Sequence, residues 1–363
     1  MSALVLLASC GAADEVGVDE TPSAEGMPFL RLHHDEIAFV HISDIHESPL
    51  SLQPACDYLN TTPCSFGLLT GDILATDEIK TILRSTSKPF FLIPGNHDAY
   101  ERGGEAAFRL DLLDMMQPVN QVTCGSPTGN YWYRDVSRGG KRLRIIALDQ
   151  FQVDHYAKKE RWSPTLLTQE QVDWFVSTLQ SSYDFDGIIV MMHEGFGNDV
   201  IGQRDPTQTG TFISLHAVDN PRSYEYADNY NTLLIPDIVN AYQTGENLIN
   251  RRYANANPRD IITVNTAFDG PHDNFVAYFG GHAHFDIVET LSDYPRQLQV
   301  IVAFGGYLEG SEYNDLIKTE QGEDSYTINL NVIDFTTRQL HIRRLGSQHK
   351  VDGTLRQEAT FGF

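Results

Sequence analysis

The sequence has few basic residues for its length. It contains 26 Lys and Arg against 49 Asp and Glu in 363 residues, which gives a formal net charge of −23. A surface of this sign repels the phosphate backbone of nucleic acids and anionic membrane surfaces, so we expect no binding to nucleic-acid duplexes. A small anionic substrate is still compatible with this charge, because bound cations dominate the field of a local site.

Long hydrophobic runs are also missing, and no apolar stretch approaches the roughly 18 to 20 residues that span a membrane. The stretch Leu7-Ala8-Ser9-Cys10 nevertheless resembles the end of a bacterial lipoprotein signal, although no Lys or Arg precedes it. The resemblance predicts a lipid anchor on Cys10, an exported protein in the cell envelope, and a signal remnant with a flexible tether over residues 1–28. The alternative is a stray apolar terminus on a soluble protein.

Cysteine is scarce as well. The four cysteines, at positions 10, 56, 64 and 124, form no Cys-x-x-Cys pair, which argues against a thiolate zinc site. Cys56 and Cys64 are close enough in sequence to form a disulfide in an oxidising compartment, and buried thiols are the alternative.

The remaining sequence, residues 29–363, has the alternating pattern of an α/β domain. Apolar runs predict strands over 37–42, 66–70 and 90–93, with a helix over 76–85 capped by Thr76, in the order of a parallel βαβ sheet. A second helix is predicted over 169–179, and further strands over 131–134, 143–148, 187–191, 276–279, 298–304, 326–333 and 339–344. A polar segment from about 195 to 275, with one helix predicted over 237–252, interrupts this pattern as an insertion.

Polar side chains follow five of the predicted strands directly. Ligands of parallel sheets bind at the carboxyl ends of the strands, so we expect these side chains to meet at one edge. They are two carboxylates, one amide and four imidazoles: Asp44, Asp72, Asn96, His46, His193, His282 and His284. This set exceeds the needs of one tetrahedral ion and fits two divalent ions that share a carboxylate. Nitrogen and oxygen donors without thiolate favour Mn, Fe, Zn or similar ions.

The local geometry of these motifs can also be predicted. We expect Asp44-Ile45-His46 and His282-Ala283-His284 to be extended, so that alternate side chains share a face. The stretch 94–98, Pro-Gly-Asn-His-Asp, predicts a turn after the third strand. Within it, His97 is the candidate proton donor to a leaving group and Asp98 the residue that orients its ring, with a turn or cap role as the alternative for Asp98. Glu194, beside His193, is either a loop residue or a partner of the site.

The order Asp-x-His, Gly-Asp, Gly-Asn-His-Asp, His and Gly-His-x-His, over residues 44–284, resembles the calcineurin-like metallophosphoesterase family. The resemblance implies an α/β fold of two packed mixed β-sheets flanked by helices, with the strands from Tyr326 onward in the second sheet. It also implies one metal on Asp44, His46, Asp72 and His284, and another on Asp72, Asn96, His193 and His282. No Tyr follows Gly71-Asp72 closely, unlike in purple acid phosphatases, and Asp98 differs from the Gly-Asn-His-Glu of protein Ser/Thr phosphatases.

These features together predict a dinuclear hydrolase in which a metal-activated hydroxide attacks a phosphate ester. The family's habits favour a small phosphodiester or nucleotide-like substrate. A phosphomonoesterase or pyrophosphohydrolase on the same site is the alternative within this class. A non-catalytic binding or scaffold protein on the same fold is the alternative of another class.

Overall fold

Strands dominate the computed structural model, which describes residues 19–22, 28–101, 115, 121–126, 130–151, 167–196, 233–254, 261–282, 284, 286–291, 293–302, 305–306, 325–347, 349–351, 354–356 and 358–363. The predictions for Cys10, for nearly all of the 1–28 tether and for residues 197–232 of the insertion lie outside these ranges. No helix within them is long and apolar enough to cross a membrane.

The secondary structure of the described residues is as follows. The helices are α1 (Leu52–Thr61), α2 (Asp77–Arg84), α3 (Asn96–Glu101), α4 (Gln169–Gln180) and α5 (Leu234–Thr244). The strands are β1 (Asp19–Pro22), β2 (Pro28–Phe29), β3 (Glu36–Ile42), β4 (Phe66–Thr70), β5 (Phe90–Ile93), β6 (Thr123–Cys124), β7 (Trp132–Arg138), β8 (Lys141–Ala147), β9 (Gly187–Met191), β10 (Arg251–Ala254), β11 (Ile261–Val264), β12 (Phe275–Gly280), β13 (Ile287–Leu291), β14 (Tyr294–Ile301), β15 (Thr327–Asp334), β16 (Gln339–Gly346), β17 (His349–Val351), β18 (Thr354–Arg356) and β19 (Glu358–Gly362).

One large sheet has six strands in the order β19-β16-β15-β3-β4-β5. Strands β3, β4 and β5 are parallel, as the βαβ pattern predicts, and β15, β16 and β19 extend the sheet in antiparallel fashion. The expectation that the strands after Tyr326 belong to the second sheet is therefore wrong. Strand β15 pairs with β3 from Asp334 opposite Glu36 to Asn329 opposite His41, and so satisfies the backbone groups that β3 leaves open on its other side.

The second large sheet has seven strands in the order β13-β14-β12-β9-β8-β7-β6. Its central strands β14, β12, β9 and β8 are parallel, and the outer pairs are antiparallel. The fold prediction is thus confirmed: the protein is an α/β structure with two large mixed sheets.

Side chains on the two faces of the second sheet enter different hydrophobic cores. In β9, Ile189 and Met191 pack in the core shared with the first sheet, whereas Ile188 and Val190 pack in the core that includes α4 and α5. This division follows from the period of two along a strand, and it explains why all five residues of β9 are buried. The carboxyl ends of both sheets' parallel strands are thereby held rigidly on either side of one core.

Several predicted elements differ in extent from the observed ones. The helix predicted over 237–252 spans Leu234–Thr244 and ends at Gly245, whose φ of 75° stops a helix; the hairpin β10–β11 follows. The cap is confirmed for α2, where Thr76 Oγ1 accepts a hydrogen bond from the Ile79 amide at 3.3 Å. Helix α1 was not predicted from the sequence.

The alternative of a disulfide between Cys56 and Cys64 is also wrong. Both are buried free thiols, and Cys124 is an exposed free thiol. Burial raises the pKa of Cys64 to about 11.

Candidate metal centre

The segments after β3 and β4 run side by side beyond the end of the first sheet. The amides of Asp44 and His46 donate hydrogen bonds to the carbonyls of Gly71 (3.1 Å) and Asp72 (3.0 Å). The segment Asp44-Ile45-His46 is not extended as predicted, because φ is 52° at Asp44 and 43° at His46; Asp72 in the neighbouring segment has a φ of 51°. Asp and His tolerate this left-handed region better than most residues, and such strained positions cluster at functional sites.

The Gly-His-x-His segment has the same backbone character. His282 and His284 have φ of 66° and 59°, so the prediction of an extended segment is wrong here too. The His282 amide donates to Asp44 Oδ2 at 2.8 Å, which ties this segment to the one after β3. Gly281 lies against Ser43 and Asp44 so closely that no side chain would fit there.

Four predicted ligands form the first group of donors. The donor atoms of Asp44, His46, Asp72 and His284 all lie within 4.8 Å of one another. His46 Nε2 is 3.6 Å from Asp72 Oδ2, and His284 Nε2 is 3.4 Å from Asp44 Oδ1. These separations are too long for strong hydrogen bonds and leave room for a cation between the donors.

A second group lies directly beside the first and shares Asp72 with it. Asp72, His193 and His282 form this group, again with donor atoms within 4.8 Å of one another. Asn96 joins them, since its Oδ1 is 3.0 Å from His193 Nε2 and 3.1 Å from His282 Nδ1. The structure therefore brings all seven predicted ligands together.

His193 has an orientation that the backbone fixes. Its Nδ1 is 2.6 Å from the carbonyl oxygen of Thr70, which can only accept a hydrogen bond. Nδ1 therefore carries the proton, and Nε2 faces Asp72 Oδ2 at 3.4 Å. Ser43 Oγ donates to the same Thr70 carbonyl at 3.0 Å and helps to hold it in place.

Burial divides the centre into a closed floor and an open side. The carboxylates of Asp44 and Asp72 and the ring of His193 are almost completely buried. The side chains of His46 and His284 are 17% and 21% exposed. The imidazoles of the first group are therefore open to solvent, whereas the carboxylates are not.

The carboxylates of the centre are ionised. Burial alone would raise the pKa of Asp44, but His193 and His284 lower it to about 2. The pKa of Asp72 is likewise held well below its usual range by His193, against the effect of burial. Burial would lower the pKa of His193, yet Asp72 and Asp44 raise it to about 10. The field at this buried point thus favours positive charge strongly, as a cation site requires.

The donor chemistry fits metal ions. Asp44 Oδ1 is buried and accepts no hydrogen bond from the residues that the structure describes, although two imidazole nitrogens lie within 4.0 Å of it. A buried carboxylate oxygen without a donor is costly unless a cation binds it. Together with the imidazole nitrogens and the Asn96 oxygen, this set suits Mn, Fe or Zn.

The candidate catalytic residues His97 and Asp98 lie in helix α3 rather than in a turn. Asn96 begins helix α3, so the stretch 94–98 is a turn only up to Gly95. The backbone amide of His97 donates to Asp72 Oδ1 at 2.9 Å, and its Nε2 is 3.9 Å from Asp72 Oδ2, at the edge of the centre.

Asp98 does not orient the His97 ring as predicted. Its Oδ1 accepts hydrogen bonds from the amides of Ile73 (2.9 Å) and Leu74 (2.8 Å), and its Oδ2 accepts one from Gly95 (2.8 Å). Burial, with the nearby Asp72 carboxylate, raises the pKa of Asp98 to about 7, while the amide hydrogen bonds act in the opposite direction. Asp98 therefore joins the segments after β4 and β5, which is the cap role left open as the alternative.

The structure decides between the two alternatives for Glu194 and adds Gln150. Glu194 Oε1 lies 3.5 Å from His282 Nε2, so Glu194 is a partner of the site rather than only a loop residue. Gln150 holds the backbone of Glu194, accepting from its amide at 2.7 Å and donating to its carbonyl at 3.1 Å. No sequence signal distinguishes Gln150, since a glutamine after a strand is common.

Comparison with known proteins agrees with this geometry. Residues 37–286 match the sequence model of the calcineurin-like phosphoesterase family. A dimetal phosphatase from Danio rerio is similar in structure, with 11% identity, a TM-score of 0.51, and coverage of 90% of this chain and 99% of that chain. At this identity the likeness shows the fold alone.

Two nucleotidases are more distant in structure. A putative 5'-nucleotidase from Staphylococcus aureus has 14% identity and a TM-score of 0.46 over 90% of this chain and 54% of its own. The NAD nucleotidase of Haemophilus influenzae has 13% identity and a TM-score of 0.41 over 89% and 53%. The chain thus spans about half the length of these nucleotidases. No curated protein sequence matches it significantly.

The family match covers more than two thirds of the chain and includes every residue of the centre. The fold, with two mixed sheets whose parallel strands end at the donor groups, agrees with that match. On these grounds the chain belongs to the calcineurin-like phosphoesterase family.

Proposed function

We propose that the protein is a dinuclear metallophosphoesterase that hydrolyses small phosphorylated compounds, with a phosphodiester or nucleotide-like compound as the favoured substrate. The observation that carries the proposal is the position of Asp72, whose carboxylate belongs to both donor groups. A carboxylate with two oxygens can bridge two cations, and two-metal sites are typical of phosphoryl hydrolysis.

Each ion has four ligands in this proposal, with Asp72 common to both. Asp44, His46, Asp72 and His284 would hold one divalent ion, and Asp72, Asn96, His193 and His282 the other. When bound, the ions supply Lewis-acid stabilisation of negative charge on the phosphoryl oxygens and lower the pKa of a water to near 7.

The residues of the chain supply the remaining functions. The floor formed by Asp44, Asp72 and His193 excludes water and fixes the donors. His46 and His284 line the open side through which the phosphoryl group enters. His97, at the edge of the centre beside Asp72, holds a proton for the leaving oxygen, whose developing charge would otherwise be costly. The role of Asp98 is to position the segment that carries Asn96 and His97.

A metal-reconstituted activity screen tests the proposal. The wild-type protein, loaded separately with Mn²⁺, Fe²⁺, Zn²⁺, Ni²⁺ or Co²⁺, is assayed on bis-p-nitrophenyl phosphate, p-nitrophenyl phosphate and inorganic pyrophosphate. We expect hydrolysis of the diester to exceed that of the other two. Higher activity on the monoester or on pyrophosphate would favour the alternative phosphomonoesterase or pyrophosphohydrolase.

A non-catalytic binding protein on the same fold is the alternative of another class. The complete set of seven donors supports an enzyme instead, because a protein that only binds a partner does not need ligands for two metal ions. Wild-type protein that binds metal but hydrolyses none of the three substrates would contradict the proposed function.

We also propose that the protein is exported and lipid-anchored through Cys10. The support is the resemblance of residues 7–10 to a lipoprotein signal. Expression in a bacterial host with a radiolabelled fatty acid should label the wild-type chain and not the Cys10→Ser variant, and a wild-type chain without label would refute the anchor.

A further inference from the structure

Glu194 lies behind one of the proposed metal ligands. It is the residue after His193, beyond the end of β9, and only 5% of it is exposed. Its Oε1 is 3.5 Å from His282 Nε2, while Nδ1 of the same ring is 3.1 Å from Asn96 Oδ1. One nitrogen of His282 therefore faces the centre, and the other faces Glu194.

The backbone around Glu194 is fixed on both sides by buried glutamine side chains. Gln150 binds the amide and the carbonyl of Glu194. Gln299 binds the amide and the carbonyl of Phe196 in the same way, both at 2.9 Å. Between them, Gly195 packs against Gln299, and an added Cβ would lie 2.9 Å from Gln299 Oε1. The Glu194 carboxylate is thus held at a defined point rather than on a mobile loop.

The burial of the Glu194 carboxylate indicates that it has a partner. A carboxylate with so little exposure is costly unless it is paired, and the imidazole N–H of His282 is an appropriate donor. A carboxylate beside the non-coordinating nitrogen of a metal ligand fixes which nitrogen carries the proton and makes the other a stronger donor.

We propose that Glu194 is a positioning residue for His282. It holds the proton of His282 on Nε2 and so presents Nδ1 to the ion that Asp72, Asn96 and His193 share with it. The inference rests on the proposed function for the presence of that ion, and it adds a residue outside the family's ligand motifs.

Zinc binding by the full-length protein tests the inference without an activity assay. Zinc affinity at each of the two sites is measured by competition with a chromophoric chelator. For Glu194→Ala we expect a loss of 10- to 100-fold at one site and no change at the other. For Glu194→Gln we expect a loss of about tenfold, because the amide oxygen still accepts the N–H but carries no charge.

Nitrogen-15 NMR of histidine-labelled, zinc-loaded protein gives a second readout. The His282 signals are assigned by their absence from His282→Asn. We expect a protonated Nε2 and a metal-bound Nδ1 in the wild type and in Glu194→Gln, and loss of this pattern in Glu194→Ala. A matched control is Glu289→Gln, which neutralises a carboxylate that accepts from Gln299 at 2.8 Å, and it should change neither readout.

The outcomes separate the two claims. Zinc affinities of Glu194→Ala that equal those of the wild type, with unchanged His282 signals, would overturn the role of Glu194 alone. Wild-type protein that binds two zinc ions but hydrolyses no phosphate ester would contradict the proposed function alone. If Glu194→Ala does not fold, Glu194→Gln decides, and a loss of affinity of less than twofold would overturn the inference.

Discussion

Replacing Gly95 by alanine should impair the centre although it replaces none of the proposed ligands. Gly95 follows β5, and its φ is outside the left-handed region, so alanine would not strain the backbone there. A Cβ at this position would lie 2.9 Å from the Asp72 carboxyl carbon and closer still to Asp72 Oδ1 and to the Asp72 backbone nitrogen. The added methyl group therefore collides with the carboxylate that both donor groups share.

The size of the expected loss of activity follows from how far Asp72 must move to make room for the added methyl group. Ordinary van der Waals contact begins at 3.4 Å. Gly95 cannot easily retreat, because its amide is bonded to Asp98 Oδ2 at 2.8 Å. Asp72 must then move by about 1 Å, and a displacement of that size at a reacting centre costs about 100-fold in rate. This corresponds to about 2.7 kcal/mol of transition-state stabilisation.

The assay is kcat/KM for bis-p-nitrophenyl phosphate, measured with zinc content on the same samples. Gly362→Ala is the matched control, since its nearest neighbour, the Arg338 carbonyl oxygen, would be 3.9 Å away. We expect a loss of about 100-fold in kcat/KM for Gly95→Ala, reduced occupancy of both ions, and no change for the control. Gly95→Ala with full zinc content and kcat/KM within threefold of the wild type would refute the reasoning.

Four further predictions concern the same centre and the thiols. Asp72→Asn should lower zinc affinity at both sites, whereas Asp44→Asn should lower it at one, as chelator competition will show. A loss of zinc affinity at only one site in Asp72→Asn would contradict the sharing of Asp72 by both donor groups. His97→Gln should keep its zinc content and lose 10²- to 10⁴-fold in kcat on an alkyl phosphodiester, with a smaller loss on a p-nitrophenyl ester, whose leaving group needs no proton. In chelator-treated protein the pKa of His193 is raised from 6.5 to about 10. The contribution of His193 to the free energy of unfolding is therefore complete below pH 6.5 and is lost as the pH rises to 10. Urea unfolding across this pH range should show the decline in stability, and the decline should be smaller in His193→Gln. Folded protein treated with iodoacetamide at pH 8 should be alkylated at Cys124 and not at Cys56 or Cys64, as peptide mapping will show, because burial hides the latter two and raises their pKa.

The grouping of the seven proposed ligands could be predicted because each has a distinctive chemistry and follows a buried strand. Strands β4, β5 and β9 match their predicted bounds, since short apolar runs with a Gly or a Pro at one end have few other ways to fold. The topology of parallel sheets then places their ends at one edge. The prediction of the seven donors thus depended on local sequence patterns and on one general rule of sheet topology.

The parts that the sequence did not predict depend on partners far along the chain. Asp98 accepts hydrogen bonds from the amides of Ile73 and Leu74, about 25 residues away. No local sequence pattern shows that Asp98 binds these amides rather than the ring of the neighbouring His97. The pairing of β15 with β3 joins segments almost 300 residues apart. The contact between Glu194 and His282 likewise links two strand ends that are adjacent only in the folded sheet.

The left-handed backbone at the ligand positions also limits how the centre can be redesigned. Five of the seven donors, namely Asp44, His46, Asp72, His282 and His284, have positive φ. Asp and His combine a metal-binding side chain with tolerance of this conformation, whereas β-branched and bulky residues do not tolerate it. An engineer who wishes to change the metal preference must therefore choose replacements that suit the backbone as well as the ion. Asn is the replacement that meets both conditions most readily, so the backbone restricts the set of usable donors before any metal is considered.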